Sequence, residues 1–284
     1  PVRVRVLCSG NPETKGRRGS MSEEQPELLT GVESGVGYIR LNRPAKHNAI
    51  SFEMWKGLGE AVDRYGADDA VRVILVTGEG GRAFSSGADI SQFEKQRSTP
   101  DGVAVYNDTL GESCRKLTVV PKPTIARIQG YCMGGGLATS LCCDLRIASE
   151  DSTFAIPAAK LGLGYAYNSL KTLTDLVGPA SAKEIMFTSR QFDAQKAYEM
   201  GLINRLTTTD DIDRVTNEYA ETLAANAPLT IKACKHIIAE LAKDSGDRDI
   251  ETCDRLVDDC FRSDDYKEGR QAFLEKRKPT FQGK

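Results

Sequence analysis

Histidine is scarce in this sequence: His47 and His236 are the only two in 284 residues, and they lie far apart. The eight cysteines, Cys8, Cys114, Cys132, Cys142, Cys143, Cys234, Cys253 and Cys260, include no CxxC pair. Together these lacks leave a structural zinc site without ligands at the usual spacing. No apolar run approaches the roughly 20 residues that cross a bilayer. The sequence has no GxxxxGK[ST], which excludes a P-loop, and its GGG run does not match the GxGxxG dinucleotide pattern. It has neither a low-complexity tract nor a clean repeat of about 20–50 residues. Nor is one sign of charge in large excess: the net charge is -2, from 38 basic and 40 acidic residues.

That near-neutral figure hides an uneven distribution. Residues 1–20 carry Arg3, Arg5, Lys15, Arg17 and Arg18 against Glu13, so the rest of the chain is acidic. An acidic body argues against nucleic acid or a membrane surface as partner, and an anionic ligand must then meet a local basic cluster. Gly19-Ser20 directly precedes Met21, and residues 1–20 read as a vector-derived leader, with a basic targeting segment as the rival. Apolar residues make up 40% and charged residues 27%, the composition of a globular chain. At this length a large core needs no disulfide staple, and reduced thiols suit a cytoplasmic location.

Hydrophobic patterning gives the organisation. VGYIRL (36–41), VRVILVTG (71–78), PTIARIQG (123–130) and DLRIAS (144–149) read as strands, with a short one near 203–207. Helices alternate with them: 52–65, capped by Ser51, then 101–117, then 134–142, opened by Gly134-Gly135-Gly136. The alternation predicts an α/β fold with much parallel pairing. From about Asp210 to Phe273 only helices are expected, broken at Pro228 and near Gly246. The boundaries drawn are 1–20 for the leader, 21–215 for the α/β core and 216–284 for a helical region.

Two glycine-containing turns follow strands. One is Phe84-Ser85-Ser86-Gly87-Ala88-Asp89-Ile90; the other is Gly130-Tyr131-Cys132-Met133-Gly134-Gly135-Gly136-Leu137, which opens a helix. Glycine lets backbone approach a ligand closely, and a helix start offers unspent N–H groups. Two such amides aimed at one oxygen make an oxyanion hole; taken singly, a glycine run before a helix reads more often as tight packing or a flexible turn.

Taken in order, six segments resemble the crotonase, or enoyl-CoA hydratase/isomerase, superfamily. They are LNRPAKHNA (41–49), AFSSGADI (83–90), Pro123 to Gly136, CDLRIA (143–148), AYEMGLI (197–203) and AFLEKRKPTF (272–281). The resemblance spans roughly residues 28–281. It implies a spiral of ββα units with a C-terminal helical oligomerisation region, and a homotrimer or a hexamer built as a dimer of trimers. It also implies an acyl-CoA thioester as substrate, no separate cofactor and no metal, with the enolate oxygen held by the amides of Ala88 and Gly135. Residues implied along the substrate are Lys46, Ala88, Asp89, Ile90, Gly134, Gly135, Ala138, Ala158 and Tyr167. Phe273 and Lys276 are implied at the adenine and phosphates, through a neighbouring subunit. The alternative for Lys276, Arg277 and Lys278 is a solvated helix end.

The sequence departs from the family where hydratases carry two glutamates, one after the glycine turn and one in F-x-x-P-E-x-x-L-G. Here these positions are Ala138 and Ala158. An alanine methyl cannot carry a proton, and each positioned acid or base contributes about 10²–10⁴ in rate. Standard hydration is therefore doubtful. Tyr165 resembles a tyrosine of the decarboxylase branch, which holds the substrate carboxylate, so a malonyl-type acyl-CoA decarboxylase is an alternative. A non-catalytic acyl-CoA binder is another. Glu112 is the best remaining carboxylate for a relocated base; Asp144, His47 and His236 read as structural, and Lys160 as a rim residue or ion-pair partner.

Overall fold

The computed structural model describes residues 25–92 and 99–284; the expected leader, residues 1–20, lies outside them. The chain opens with an antiparallel hairpin of β1 (Leu28–Glu33) and β2 (Val36–Leu41), turning at Ser34-Gly35 with positive φ at both residues. Helix α1 (Phe52–Ala67) follows, with the Ser51 hydroxyl accepting from the Met54 amide at 3.2 Å, as the capping pattern predicts. Next come β3 (Val73–Gly78), β4 (Ala83–Ser85) and α2 (Pro100–Val119), capped by Thr99. Then follow β5 (Thr124–Ile128), β6 (Tyr131–Met133), α3 (Gly135–Leu141), β7 (Leu145–Ser149) and β8 (Thr153–Ala155). After a 3₁₀ turn at Pro157–Leu161 come α4 (Tyr167–Thr188), β9 (Phe192–Asp193), α5 (Ala194–Glu199) and β10 (Arg205–Thr207). The remainder is helical: α6 (Ile212–Ala225), α7 (Pro228–Leu241), α8 (Ile250–Arg262) and α9 (Asp264–Glu275).

Among the described residues the strands form two sheets. The larger runs β1-β2-β3-β5-β7-β10 and is parallel apart from the first hairpin. The smaller runs β4-β6-β8-β9 and is parallel apart from its last pair. Each of three successive units sends a longer strand to the first sheet and a three-residue strand to the second. A structural repeat is thus present that the residue pattern does not show, because the second strands are too short to carry a period of their own.

The strand sequences are continuously apolar because both faces of the larger sheet are covered. Ile74, Val76, Ala126, Ile128 and Ala148 face the main core with Trp55, Leu58 and Phe154. Their neighbours Val73, Leu75, Ile125 and Ile147 face the other way, onto Ile212 and Ala220 of α6. The boundary expected between residues 215 and 216 falls inside α6, and this helix is part of the covering of the sheet. Asp144 anchors structure as read: its carboxylate accepts from the Thr124 amide at 2.8 Å and from Lys235 at 2.8 Å.

Candidate active site

The two glycine turns meet at the C-terminal ends of neighbouring strands. Ile50 clamps the first turn: its amide donates to the Gly87 carbonyl at 2.8 Å, and the Asp89 amide donates to the Ile50 carbonyl at 2.9 Å. These bonds occupy the groups on either side of Ala88. Gly134, at φ 47, begins the second turn, and its amide donates to the Ala155 carbonyl at 2.8 Å. Among the described residues neither the Ala88 nor the Gly135 amide donates to a protein acceptor.

Steric limits show how close the turns are. A Cβ added to Gly135 would stand 3.2 Å from the Ala88 nitrogen and 3.3 Å from the Trp55 ring. A Cβ on Gly87, at φ 104, would meet the Met133 carbonyl oxygen at 3.0 Å. Glycine is required here by the approach of one turn to the other as well as by φ. Trp55 is itself fixed, donating from Nε1 to the Tyr106 hydroxyl at 3.1 Å. Two unspent amides thus sit side by side, supported by a buried indole.

The Ala88 turn is held by charge. The buried carboxylate of Asp89 pairs with Arg43 at 2.7 Å, and Arg43 pairs with Glu27 at 2.9 Å and donates to the Ala49 carbonyl at 2.8 Å. The Asp89 carboxylate also accepts from the Ser91 amide and hydroxyl, an Asx-type arrangement. Burial pushes the Asp89 carboxyl up, but the Ser91 and Arg43 hydrogen bonds and the Arg43 charge outweigh it and hold it below the usual range. Asn48 is fully buried, donating to the Glu79 and Ala83 carbonyls at 2.9 and 2.7 Å. Lys46 approaches Asp89 only to 3.8 Å and is exposed. Sequence reasoning missed the Arg43 clamp. Its signal was an arginine in an otherwise tight turn, whose partner lies far along the chain.

The other expected residues separate into groups. Ala138 is half-buried on α3, Ala158 is buried in the 3₁₀ turn, and Ile90 is exposed at the edge of the Ala88 turn. Tyr165 packs against the core, and burial pushes its phenol up to about 12. Tyr167 is 78% exposed. Phe273 and Lys276 lie at the exposed end of α9, with no hydrogen bond or ion pair to the amide turns among the described residues.

Two charged candidates find partners in the fold, and for Glu112 this corrects the expectation of a relocated base. Arg277, beside Lys276 and Lys278 at the end of α9, pairs with Glu268 and Glu275, each at 2.6 Å. Its hydrogen bonds hold the Glu268 carboxyl down to about 2. Glu112 is on the exposed face of α2 in a two-point pair with Arg115, both contacts 2.7 Å, which lowers its proton affinity and makes it a poor base. Lys160 is exposed. Among the described residues no group of three or more His, Cys, Asp or Glu is placed to hold a metal ion, and no helix is long and apolar enough to cross a membrane.

Comparison with known proteins agrees with the geometry. The family model described as enoyl-CoA hydratase/isomerase matches residues 31–284. The short-chain-enoyl-CoA hydratase of Clostridium acetobutylicum is 31% identical over 255 residues, covering 90% of this chain and 97% of that one. The crotonyl-CoA hydratase of Syntrophomonas wolfei is 30% identical, covering 89% and 97%. Among solved structures, an enoyl-CoA hydratase/carnithine racemase from Magnetospirillum magneticum superposes with a TM-score of 0.86 at 33% identity, covering 92% of this chain and 97% of that one. With its two sheets, its paired glycine turns and these relatives, the chain belongs to the enoyl-CoA hydratase/isomerase, or crotonase, family.

Proposed function

We propose that this chain is an enzyme that binds acyl-CoA thioesters and stabilises an enolate at the thioester oxygen through the Ala88 and Gly135 amides. The observation that carries the reading is the closeness of these two unspent amides. Fixed donors aimed where charge develops contribute about 3–4 kcal/mol each to such a step. The exposed Lys46 ammonium, beside the same turn, suits the phosphates of coenzyme A.

Hydration needs a proton carrier, and Ala138 and Ala158 supply none. A second reading is favoured by Tyr165. Its phenol stays protonated and has no protein hydrogen-bond partner among the described residues. A protonated phenol can hold the carboxylate of a malonyl-type thioester. The bond from the α-carbon to that carboxylate then breaks, carbon dioxide leaves, and the electron pair passes to the thioester oxygen. Solvent protonates the α-carbon afterwards, so no carboxylate base is needed.

The test compares crotonyl-CoA hydration with carbon dioxide release from malonyl-CoA and methylmalonyl-CoA. Hydration at the rate of a two-glutamate relative would overturn the weight given to Ala138 and Ala158. Absence of carbon dioxide from both substrates would remove the decarboxylase reading. A homotrimer, or a pair of trimers, is part of the same proposal. The exposed apolar side chains of Ile238, Leu241, Phe261, Phe273 and Leu274 on α7 to α9 support it.

A further inference from the structure

The buried side chains of α2 are Tyr106, Ser113 and Leu117. Two of them carry hydroxyls, and burying a hydroxyl is unfavourable unless it is hydrogen-bonded. Both are bonded to one residue of α1, Trp55. The Tyr106 hydroxyl accepts from Trp55 Nε1 at 3.1 Å, and both side chains are buried. Two turns further along α2, the Ser113 hydroxyl shares its proton between the Trp55 carbonyl at 2.6 Å and the Thr109 carbonyl of its own helix at 2.9 Å. Helical spacing puts Tyr106 and Ser113 on one face, so α2 grips Trp55 at its indole and at its backbone.

Trp55 in turn stands where the two amide turns meet. The point at which a Cβ would sit on Gly135 is 3.3 Å from Trp55 Cζ2 and 3.2 Å from the Ala88 nitrogen. In an indole, Cζ2 is two bonds from Nε1. The edge of the ring that abuts the Gly135 turn is therefore the edge that Tyr106 holds. Ile50, just before α1, holds the Ala88 turn through the Gly87 carbonyl and the Asp89 amide. The start of α1 thus touches both turns, the first through Ile50 backbone and the second through the Trp55 ring. A buried donor left without an acceptor is unfavourable. Without the Tyr106 hydroxyl the indole turns to find another acceptor, and Cζ2 leaves its place against the Gly135 turn.

We propose that Tyr106 is a positioning residue for the enolate site: through its hydrogen bond to Trp55 it fixes the separation of the Ala88 and Gly135 amides. The inference rests on the enolate reading given above. It makes the docking of α2 on α1 a determinant of oxyanion stabilisation, with neither Tyr106 nor Trp55 acting on the reacting atoms. Fixed amides stabilise an oxyanion only when both reach the same atom, and a displacement of about 1 Å costs about 10²-fold in rate.

The probe for the test is acetoacetyl-CoA, a thioester whose acyl group ionises to an enolate with a near-ultraviolet absorption band. Bound at neutral pH, it reads oxyanion stabilisation without turnover, whichever reaction the chain performs. Wild type is expected to develop the enolate band on titration. In Tyr106→Phe the enolate-to-keto ratio of the bound ligand should fall about 10-fold or more, while affinity for coenzyme A alone stays the same. In Trp55→Phe the ratio should fall likewise, and adding Tyr106→Phe to that variant should change nothing further. Absence of the band in wild type would overturn the enolate reading and this inference with it. A wild-type band that survives in Tyr106→Phe, or a second drop of equal size in the double variant, would overturn this inference alone. Trp55 is the only tryptophan in the chain, so the emission of ligand-free protein reports on the indole directly. Tyr106→Phe should shift the emission maximum, and identical spectra would overturn the link through the indole. Tyr106→Phe keeps the buried ring, and neither its absorption nor its emission comparison depends on Trp55→Phe folding.

Discussion

Asp89 stands one residue from Ala88, the proposed oxyanion donor, and its buried carboxylate depends on Arg43. Replacing Arg43 by alanine leaves that charge, and Glu27 beside it, without its partner. Loss of one partner of a buried pair costs about 3–5 kcal/mol, and urea unfolding of Arg43→Ala should show a loss of that order. The pH dependence has a definite sign. Asp89 is held below its ordinary value of about 3.9. Its contribution is present above that value and is lost as pH falls through the lower folded value. Acid unfolding of Arg43→Ala should therefore begin at a higher pH than in wild type, measured by circular dichroism. At Tyr165, exchange for phenylalanine removes only the hydroxyl. If carbon dioxide release is the reaction, its rate should fall by about 10²-fold or more, while coenzyme A binding in a titration stays unchanged. Ala138→Glu with Ala158→Glu should raise crotonyl-CoA hydration, which an absorbance assay reads directly.

At the scale of elements, the turn before α3 must pass beside the Ala88 turn without a side chain. Gly135→Ala places a methyl group against the Ala88 nitrogen and the Trp55 ring. The turns then have to separate, and turnover should fall by about 10²–10³ with a smaller effect on substrate binding. A kcat-against-KM comparison checks this. The longer elements were legible in the sequence because their patterns are long. Ser51 and the apolar spacing of 54–65 mark α1, and the runs at 73–78 and 124–128 mark covered strands. Strands β4, β6, β8 and β9 were not legible. Each has two or three residues, and only pairing with neighbours distant in sequence makes it a strand.

For the whole molecule, the C-terminal helices carry apolar side chains that this single chain leaves uncovered. Light scattering should give a trimer or a hexamer; a monomer would count against subunit sharing at Phe273 and Lys276. The charge pattern also takes on a place. With Arg277 paired to Glu268 and Glu275 and Arg43 paired to Asp89 and Glu27, Lys46 is an exposed cation beside the Ala88 turn.

The sequence by itself determined the α/β class, the two glycine turns and the alanines at positions 138 and 158, where the family resemblance implies acids. These are local facts, written in residue type and spacing. Only the tertiary structure decided which groups meet. The approach of Ala88 to Gly135, the Glu27–Arg43–Asp89 chain and the pairing of Asp144 with Lys235 each join segments far apart in sequence. Such contacts depend on how strands pair and helices pack, which no local pattern encodes. The removal of Arg277 and Glu112 from service has the same origin: the charges were visible in the sequence, and the fold chose their partners.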